Sequence, residues 1–193
     1  MPAFSDLEIV EKALEGDTHA FRLLVERNQS FVCSLAYRFV GNTSDAEDIA
    51  QEAFIRLWKN LNRYRPGIKL TTWLYKIVTN LSLDFLRSAN NRRARERVEL
   101  NDHGRMVSEW TSDQSLLTDE LRNALEMLSA ELTPKQKAVF VLRDMEDLST
   151  DEVGEILAMS PGNVKSNLYY ARKKMGEMIT MYYQMKKSRA NEL

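Results

Sequence analysis

The sequence predicts an all-α protein of two helical domains joined by a linker. Apolar residues recur at helical spacings of three and four over nearly every segment. Seven glycines and four prolines in 193 residues leave little material for hairpins. The periodicity lapses over residues 98–115, an acidic, polar stretch that reads as a linker between a domain at 1–97 and another at 116–193.

Each element follows from its own signals. Leu7, Val10, Ala13 and Leu14 form a stripe that ends at Gly16, a helix-stopping position. Asp17 or Thr18 caps a second helix carrying Phe21, Leu24, Val25, Val32, Leu35, Ala36 and Phe39, broken at Gly41-Asn42. Ser44 or Asp45 opens a third with Ala46, Ile49, Ala50, Ala53, Phe54, Leu57 and Leu61. A turn at Tyr64-Arg65-Pro66-Gly67 follows. Thr71 or Thr72 then caps a helix with Leu74, Ile77, Val78, Leu81 and Phe85 on one side, which runs into the basic stretch 87–97. The second domain starts with Leu117, Leu121, Leu125 and Leu128. Thr133-Pro134, a cap followed by a first-turn proline, opens a helix with Ala138, Val139 and Leu142. Ser149-Thr-Asp-Glu152 is a capping-box pattern, and Ser160-Pro161 repeats the cap-plus-proline signal before a long last helix.

Net charge is −1, yet the charge is segregated: residues 63–97 carry nine basic and two acidic side chains, and residues 161–193 seven and two. Two basic blocks divided by acidic segments read either as two contact regions for a polyanion or as solvated helix faces. No stretch approaches the roughly 20 apolar residues of a membrane span. The first residues lack a secretory pattern, so a cytoplasmic protein is expected. One cysteine (Cys33) and two histidines (His19, His103) argue against a disulfide framework and a zinc site, and no nucleophile–base or carboxylate constellation suggests an enzyme. No cofactor, metal or small-molecule substrate is expected.

Three regions carry the functional signal. Residues 149–175 read as a helix-turn-helix, with Val164, Leu168, Ala171 and Met175 inward and Asn163, Lys165, Ser166, Asn167, Tyr169, Tyr170, Arg172, Lys173 and Lys174 outward. Such side chains bond phosphates or base edges in a major groove, although an ordinary helical hairpin with a basic face has the same pattern. In 63–97, Tyr64, Trp73, Tyr75 and Phe85 are interleaved with Arg63, Arg65, Lys69, Lys76 and Arg87. Aromatic faces beside cations suit unstacked bases. Phe85 is better read as core, while Trp73 fits either role. The 45–61 helix bears Asp45, Glu47, Asp48, Gln51, Glu52 and Arg56 with Phe54 and Trp58, more apolar surface than one core-facing stripe needs.

Together these residues resemble the extracytoplasmic-function group of bacterial RNA polymerase sigma factors, of the sigma-70 family. The resemblance rests on Gly16-Asp-Thr-His-Ala-Phe21, the run from Asp45 to Phe54, Thr72-Trp-Leu74, Asn80 with Asp84-Phe-Leu-Arg87, and Gly162-Asn-Val-Lys-Ser166 with Ala171-Arg172. It covers roughly 7–97 and 115–176. It implies that 1–97 is region 2 and 116–193 region 4. It implies contact with the coiled coil of the polymerase β′ subunit through Asp48, Gln51, Glu52 and Phe54, and −10 promoter recognition and melting through Tyr64, Arg65, Trp73, Lys76 and Asn80. Duplex −35 reading falls to Lys165, Ser166, Tyr169, Tyr170 and Arg172. An anti-sigma factor is a further implied partner, and the linker takes the place where the family threads through the polymerase. The sequence departs from the family at Ala158, commonly glycine; at Gly154, usually a small residue such as alanine; at Leu70, commonly phenylalanine; and at Tyr169-Tyr170, where arginine is more frequent. A stand-alone helix-turn-helix regulator would explain 149–175 but leave the other two regions without a role. A helical enzyme lacks a catalytic cluster, and an adaptor has no use for a basic recognition helix.

Overall fold

The computed structural model describes residues 6–64, 69–99 and 132–190, without the side chains of 6, 89–99, 182 and 185–190. All regular structure among the described residues is helical. In chain order the elements are α1 (Asp6–Leu14), α2 (Thr18–Val40), α3 (Thr43–Asn60) with a 3-10 turn (Leu61–Arg63), and α4 (Leu70–Glu99). Then come α5 (Pro134–Phe140) with a π-helical turn (Val141–Met145), α6 (Thr150–Leu157) and α7 (Pro161–Ala190). The expected linker beyond Glu99 and the helix expected at 116–128 lie outside the described residues.

Local chemistry sets most boundaries. The Asp17 carboxylate accepts from the amides of His19 and Ala20 at 2.9 and 3.1 Å, which satisfies two of the orphan donors at the start of α2. Gly41, at φ 69°, closes α2 by donating to the Tyr37 carbonyl at 2.8 Å. Asn42, rather than Ser44 or Asp45, caps α3: its side-chain oxygen accepts from Asp45 N at 3.1 Å. Thr71 and Thr72 are not caps either. Leu70 already belongs to α4 and is buried, and the Lys69 carbonyl accepts the amide of Thr72. Burying Leu70 draws the helix start back past both threonines.

The first core gathers Ile9 and Val10 of α1; Leu24, Val32, Leu35 and Phe39 of α2; Ile49, Ala53 and Leu57 of α3; and Leu74 and Val78 of α4. Asn28 falls on the same α2 stripe, and it is tolerated there because its side-chain amide donates to the Leu24 carbonyl at 2.8 Å. In the second unit, Thr133 and Ser149 each form reciprocal capping boxes, with Gln136 and Glu152 respectively. Val139, Leu142, Val153, Ile156, Val164 and Leu168 make its core. The segment from α5 into the π-helical turn divides its residues: Val139 and Leu142 enter this core, while Ala138 and Val141 join the first one. The two units therefore pack on each other, α5 and α6 against α4.

The turn between α6 and α7 explains one departure from the family pattern. Ala158 adopts the left-handed conformation, φ 51° and ψ 49°, and the Gly154 carbonyl accepts from both Ala158 N and Met159 N. A Cβ at position 154 would stand 2.8 Å from the Met159 carbonyl oxygen. The glycine is thus required where the chain folds back, four residues before the left-handed residue that alanine tolerates at some cost.

Candidate functional site

The helix-turn-helix presents the face its spacing predicts. Val164, Leu168, Ala171 and Met175 are buried. Lys165, Ser166, Tyr169, Tyr170 and Arg172 are exposed, the two tyrosines by 63% and 55%. Two large aromatics this bare on a folded helix are available to a partner. Their rings meet edge to face at 5.4 Å, so they form one aromatic ridge rather than two independent side chains. Lys165, Leu168, Tyr169, Arg172 and Lys173 line a shallow depression beside it. Arg172 is not a free cation: its Nε and Nη2 donate to the two Asp144 oxygens at 2.8 and 2.6 Å. Those hydrogen bonds and the carboxylate charge hold the guanidinium still more firmly protonated. The side-on pairing leaves the Nη1 edge of Arg172 for other acceptors.

A second surface forms where the end of α3 meets α4. Arg56, Asn60, Arg63, Trp73, Ile77 and Asn80 line an open cavity of about 270 Å³. Trp73 and Tyr64 are half-buried with ring centroids 5.7 Å apart, so the indole is held on one side and still faces the cavity. Asn60 is fixed by donating from its side-chain amide to the Arg56 carbonyl at 2.8 Å, and Arg56 pairs with Glu52 at 2.9 Å. An indole face, two guanidinium groups and two carboxamides around one hollow supply stacking, charge and hydrogen bonds in the combination an extruded base needs. Lys76 is exposed on α4 but does not line this cavity, and Arg65 lies outside the described residues. Arg56, Asn60 and Arg63 were absent from the −10 set expected from sequence. They arrive through the packing of α3 on α4; of the three, Arg63 alone stood among the cations that the sequence interleaves with aromatics.

The third surface is the outer side of α3. Asp48 and Gln51 are exposed, and Glu52 is half-buried in its pair with Arg56. Phe54 is a correction to the expected set. It is 9% exposed and packs in the first core, so it has no surface to offer. The exposed apolar residues of this helix are Ile55 and Trp58, 46% and 41% exposed, with the Trp58 ring braced edge-on against Phe21 at 4.7 Å. Among the described residues no group of His, Cys, Asp or Glu is arranged to hold a metal ion, and no helix is long and apolar enough to cross a membrane.

Comparison with known proteins covers both units of the chain. A family model for sigma-70 region 2 matches residues 24–92, and one for sigma-70 region 4 matches residues 122–175. The ECF RNA polymerase sigma factor SigW of Bacillus subtilis is 33% identical over 176 residues, 88% of this chain and 94% of that protein. The sigma-E factor of Escherichia coli K12 is 32% identical over 174 residues, 87% of this chain and 91% of that protein. Among solved structures, CnrH in complex with the cytosolic domain of CnrY is similar with a TM-score of 0.63 at 19% identity, over 90% of this chain and 96% of that one. RpoE of Bartonella quintana, in complex with the anti-sigma factor NepR, gives 0.59 at 22% identity, over 83% and 96%. At those identities the two structures establish a shared fold.

Proposed function

The chain belongs to the extracytoplasmic-function family of RNA polymerase sigma factors, and on that premise we propose how its three surfaces divide the work of directing the polymerase to promoters. Residues 1–97 act as region 2, residues 116–193 as region 4, and 98–115 as the linker threaded through the polymerase. The outer side of α3 docks on the β′ coiled coil through Asp48, Gln51 and Glu52, with Ile55 and Trp58 supplying the apolar contact. The cavity at the α3–α4 junction receives a base extruded from the −10 element: Trp73 stacks on it, Asn80 and Asn60 bond its edge, and Arg56 and Arg63 hold the flanking backbone. Tyr64 supports Trp73, while Arg65 and Lys76 add charge beside the opened strand. Helix α7 reads the −35 element as duplex through Lys165, Ser166, Tyr169, Tyr170 and Arg172.

The observation that carries this reading is the cavity. Extruding a base costs a few kcal/mol, and stacking returns about 1–3 kcal/mol per base. Opening is therefore favoured only if the base-binding groups are in position beforehand, as Tyr64 keeps the indole and the Arg56 carbonyl the Asn60 amide. The chain performs no chemistry of its own, since the polymerase makes the transcript. The site of action is cytoplasmic, and a regulator of the anti-sigma class is the partner that would cover these surfaces. Co-elution with core RNA polymerase, with Asp48→Arg as control, tests the reading. Binding lost in the variant supports the α3 contact, whereas a clean, folded parent that fails to bind would leave a stand-alone DNA-binding regulator.

A further inference from the structure

Arg172, one of the side chains assigned to the −35 element, is clamped from outside its own helix. Its Nε and Nη2 donate to the two oxygens of Asp144, 28 residues earlier in the π-helical turn, at 2.8 and 2.6 Å. Both ends of this clamp stand on rigid supports. Val141 and Leu142 are buried and anchor the turn, and the amides of Glu146 and Leu148 close it by donating to the Val141 and Leu142 carbonyls, each at 3.0 Å. On α7, Leu168, Ala171 and Met175 are buried on either side of Arg172. The Asp144 side chain is 20% exposed and that of Arg172 59%, so the carboxylate is the enclosed partner and the guanidinium the one that meets solvent. By contrast Lys173, the next residue, pairs at 4.0 Å with Glu177 of its own helix, a long and exposed contact that leaves the ammonium to swing.

We propose that Asp144 is a positioning residue for promoter reading: by holding Arg172 side-on it aims the remaining Nη1–Nη2 fork at one place on the duplex, which raises sequence discrimination and lowers raw affinity for DNA. The DNA part of this proposal rests on the −35 assignment above, while the clamp rests on the contacts alone. Raw affinity by itself would favour no acid at position 144. A carboxylate on a surface that meets DNA repels phosphates, and pairing withdraws Arg172 from the mobile cations that supply sequence-independent binding. What the pair supplies is direction. A guanidinium held through Nε and Nη2 keeps two parallel N–H groups at its far end, the fork that fits the O6 and N7 edge of guanine. An arginine free to rotate meets any phosphate instead, and phosphate contacts carry no sequence. Arg172 lines the depression on α7 together with Lys165, Leu168 and Tyr169, which offer an incoming base edge an apolar wall and a second cation. Bidentate reading of this kind discriminates by about 5- to 150-fold against the wrong base.

The full chain assembled with core polymerase is used to select from random-sequence duplexes of promoter length. The enriched duplex, and a copy scrambled at its −35 element, are then titrated at several salt concentrations. Asp144→Ala is expected to bind the scrambled copy several-fold more tightly, with a salt slope steeper by about one as Arg172 takes a phosphate. The affinity ratio between the two duplexes should fall by about 5- to 150-fold. Asp144→Asn keeps the shape and one acceptor, and its ratio should lie between those of the parent and Asp144→Ala. In an Arg172→Ala background Asp144→Ala should no longer alter the ratio, because the acid acts through the arginine. A ratio unchanged in Asp144→Ala overturns the positioning role, and so does a fall of the same size in the Arg172→Ala background. Equal weakening on both duplexes by Asp144→Ala and Asp144→Asn alike marks a merely structural contact and overturns it too. A parent that enriches no sequence overturns the −35 assignment and the positioning role together, whereas a discriminating parent matched by Asp144→Ala overturns the positioning role alone.

Discussion

Replacing Gly154 by alanine tests the helix-turn-helix geometry most directly. The added methyl would stand 2.8 Å from the Met159 carbonyl oxygen, a backbone atom that cannot swing aside as a side chain tip would. Overpacking of this kind costs about 1–3 kcal/mol, and the gain from replacing glycine inside a helix returns up to about 1 kcal/mol. The net expectation is a loss of about 1–2 kcal/mol, concentrated at the end of α6. The Met159 amide, which donates to the Gly154 carbonyl at 2.9 Å, reports on that spot. Its hydrogen-exchange protection should fall roughly 5- to 30-fold, and duplex −35 binding should weaken as the recognition helix loses its fixed attachment. Ala158→Gly should act in the opposite direction. It relieves a left-handed alanine, worth about 1–2 kcal/mol, against about 0.4–1 kcal/mol of added unfolded-state entropy. Protection at Met159 equal to or above that of the parent in Gly154→Ala would refute the steric reasoning.

Three further outcomes follow from the sites. Trp73→Ala should reduce promoter opening, read as permanganate reactivity of unpaired thymines, by about 5- to 150-fold for the 1–3 kcal/mol of lost stacking, while duplex −35 binding stays unchanged. Lys165→Ala should weaken duplex binding and lower the salt slope by about one if the lysine meets a phosphate, with core co-elution intact. Glu152 has its carboxyl held below the usual range, first by the hydrogen bond with the Ser149 side chain and then by the Ser149 amide. Its folded-state value lies below the unfolded one, so its contribution is present above the unfolded carboxylate range and is lost as pH falls through the folded value. Glu152→Gln should therefore flatten the acid limb of a pH–stability curve and leave its alkaline limb alone.

What was legible in the sequence was what short-range chemistry decides. Asp17, Thr133, Ser149 and Ser160 announce helix starts because a side-chain oxygen reaches an amide two or three residues on. The stripe Val164, Leu168, Ala171, Met175 announces its buried side because its spacing matches the helical period. Elsewhere the deciding neighbour was distant. Arg56 and Asn60 read as ordinary helix surface until α4 brings Trp73 and Asn80 opposite them. Glu146 meets Arg38 across 108 residues, through a widened turn whose extra residue has no signature in composition. Asn42 does not stand out as a cap because a glycine-asparagine pair reads first as a break, although here the glycine ends one helix and the asparagine starts the next.

Helix α4 has consequences for anyone retargeting this protein. Between positions 73 and 81 it commits three sides: Trp73, Ile77 and Asn80 to the cavity, Leu74, Val78 and Leu81 to the core, and Tyr75 to the second domain. Exchanging this segment wholesale for that of a relative would change base preference, stability and closure in a single step, and the resulting phenotype could not be divided among them. Arg56, Asn60 and Arg63 reach the same cavity from outside α4. On the proposed reading Asn60 bonds the base edge and the two arginines only the backbone, so a library at Asn60 should vary the base chosen while the helix that joins the two halves keeps its own sequence, which would make specificity a portable trait rather than one welded to the scaffold.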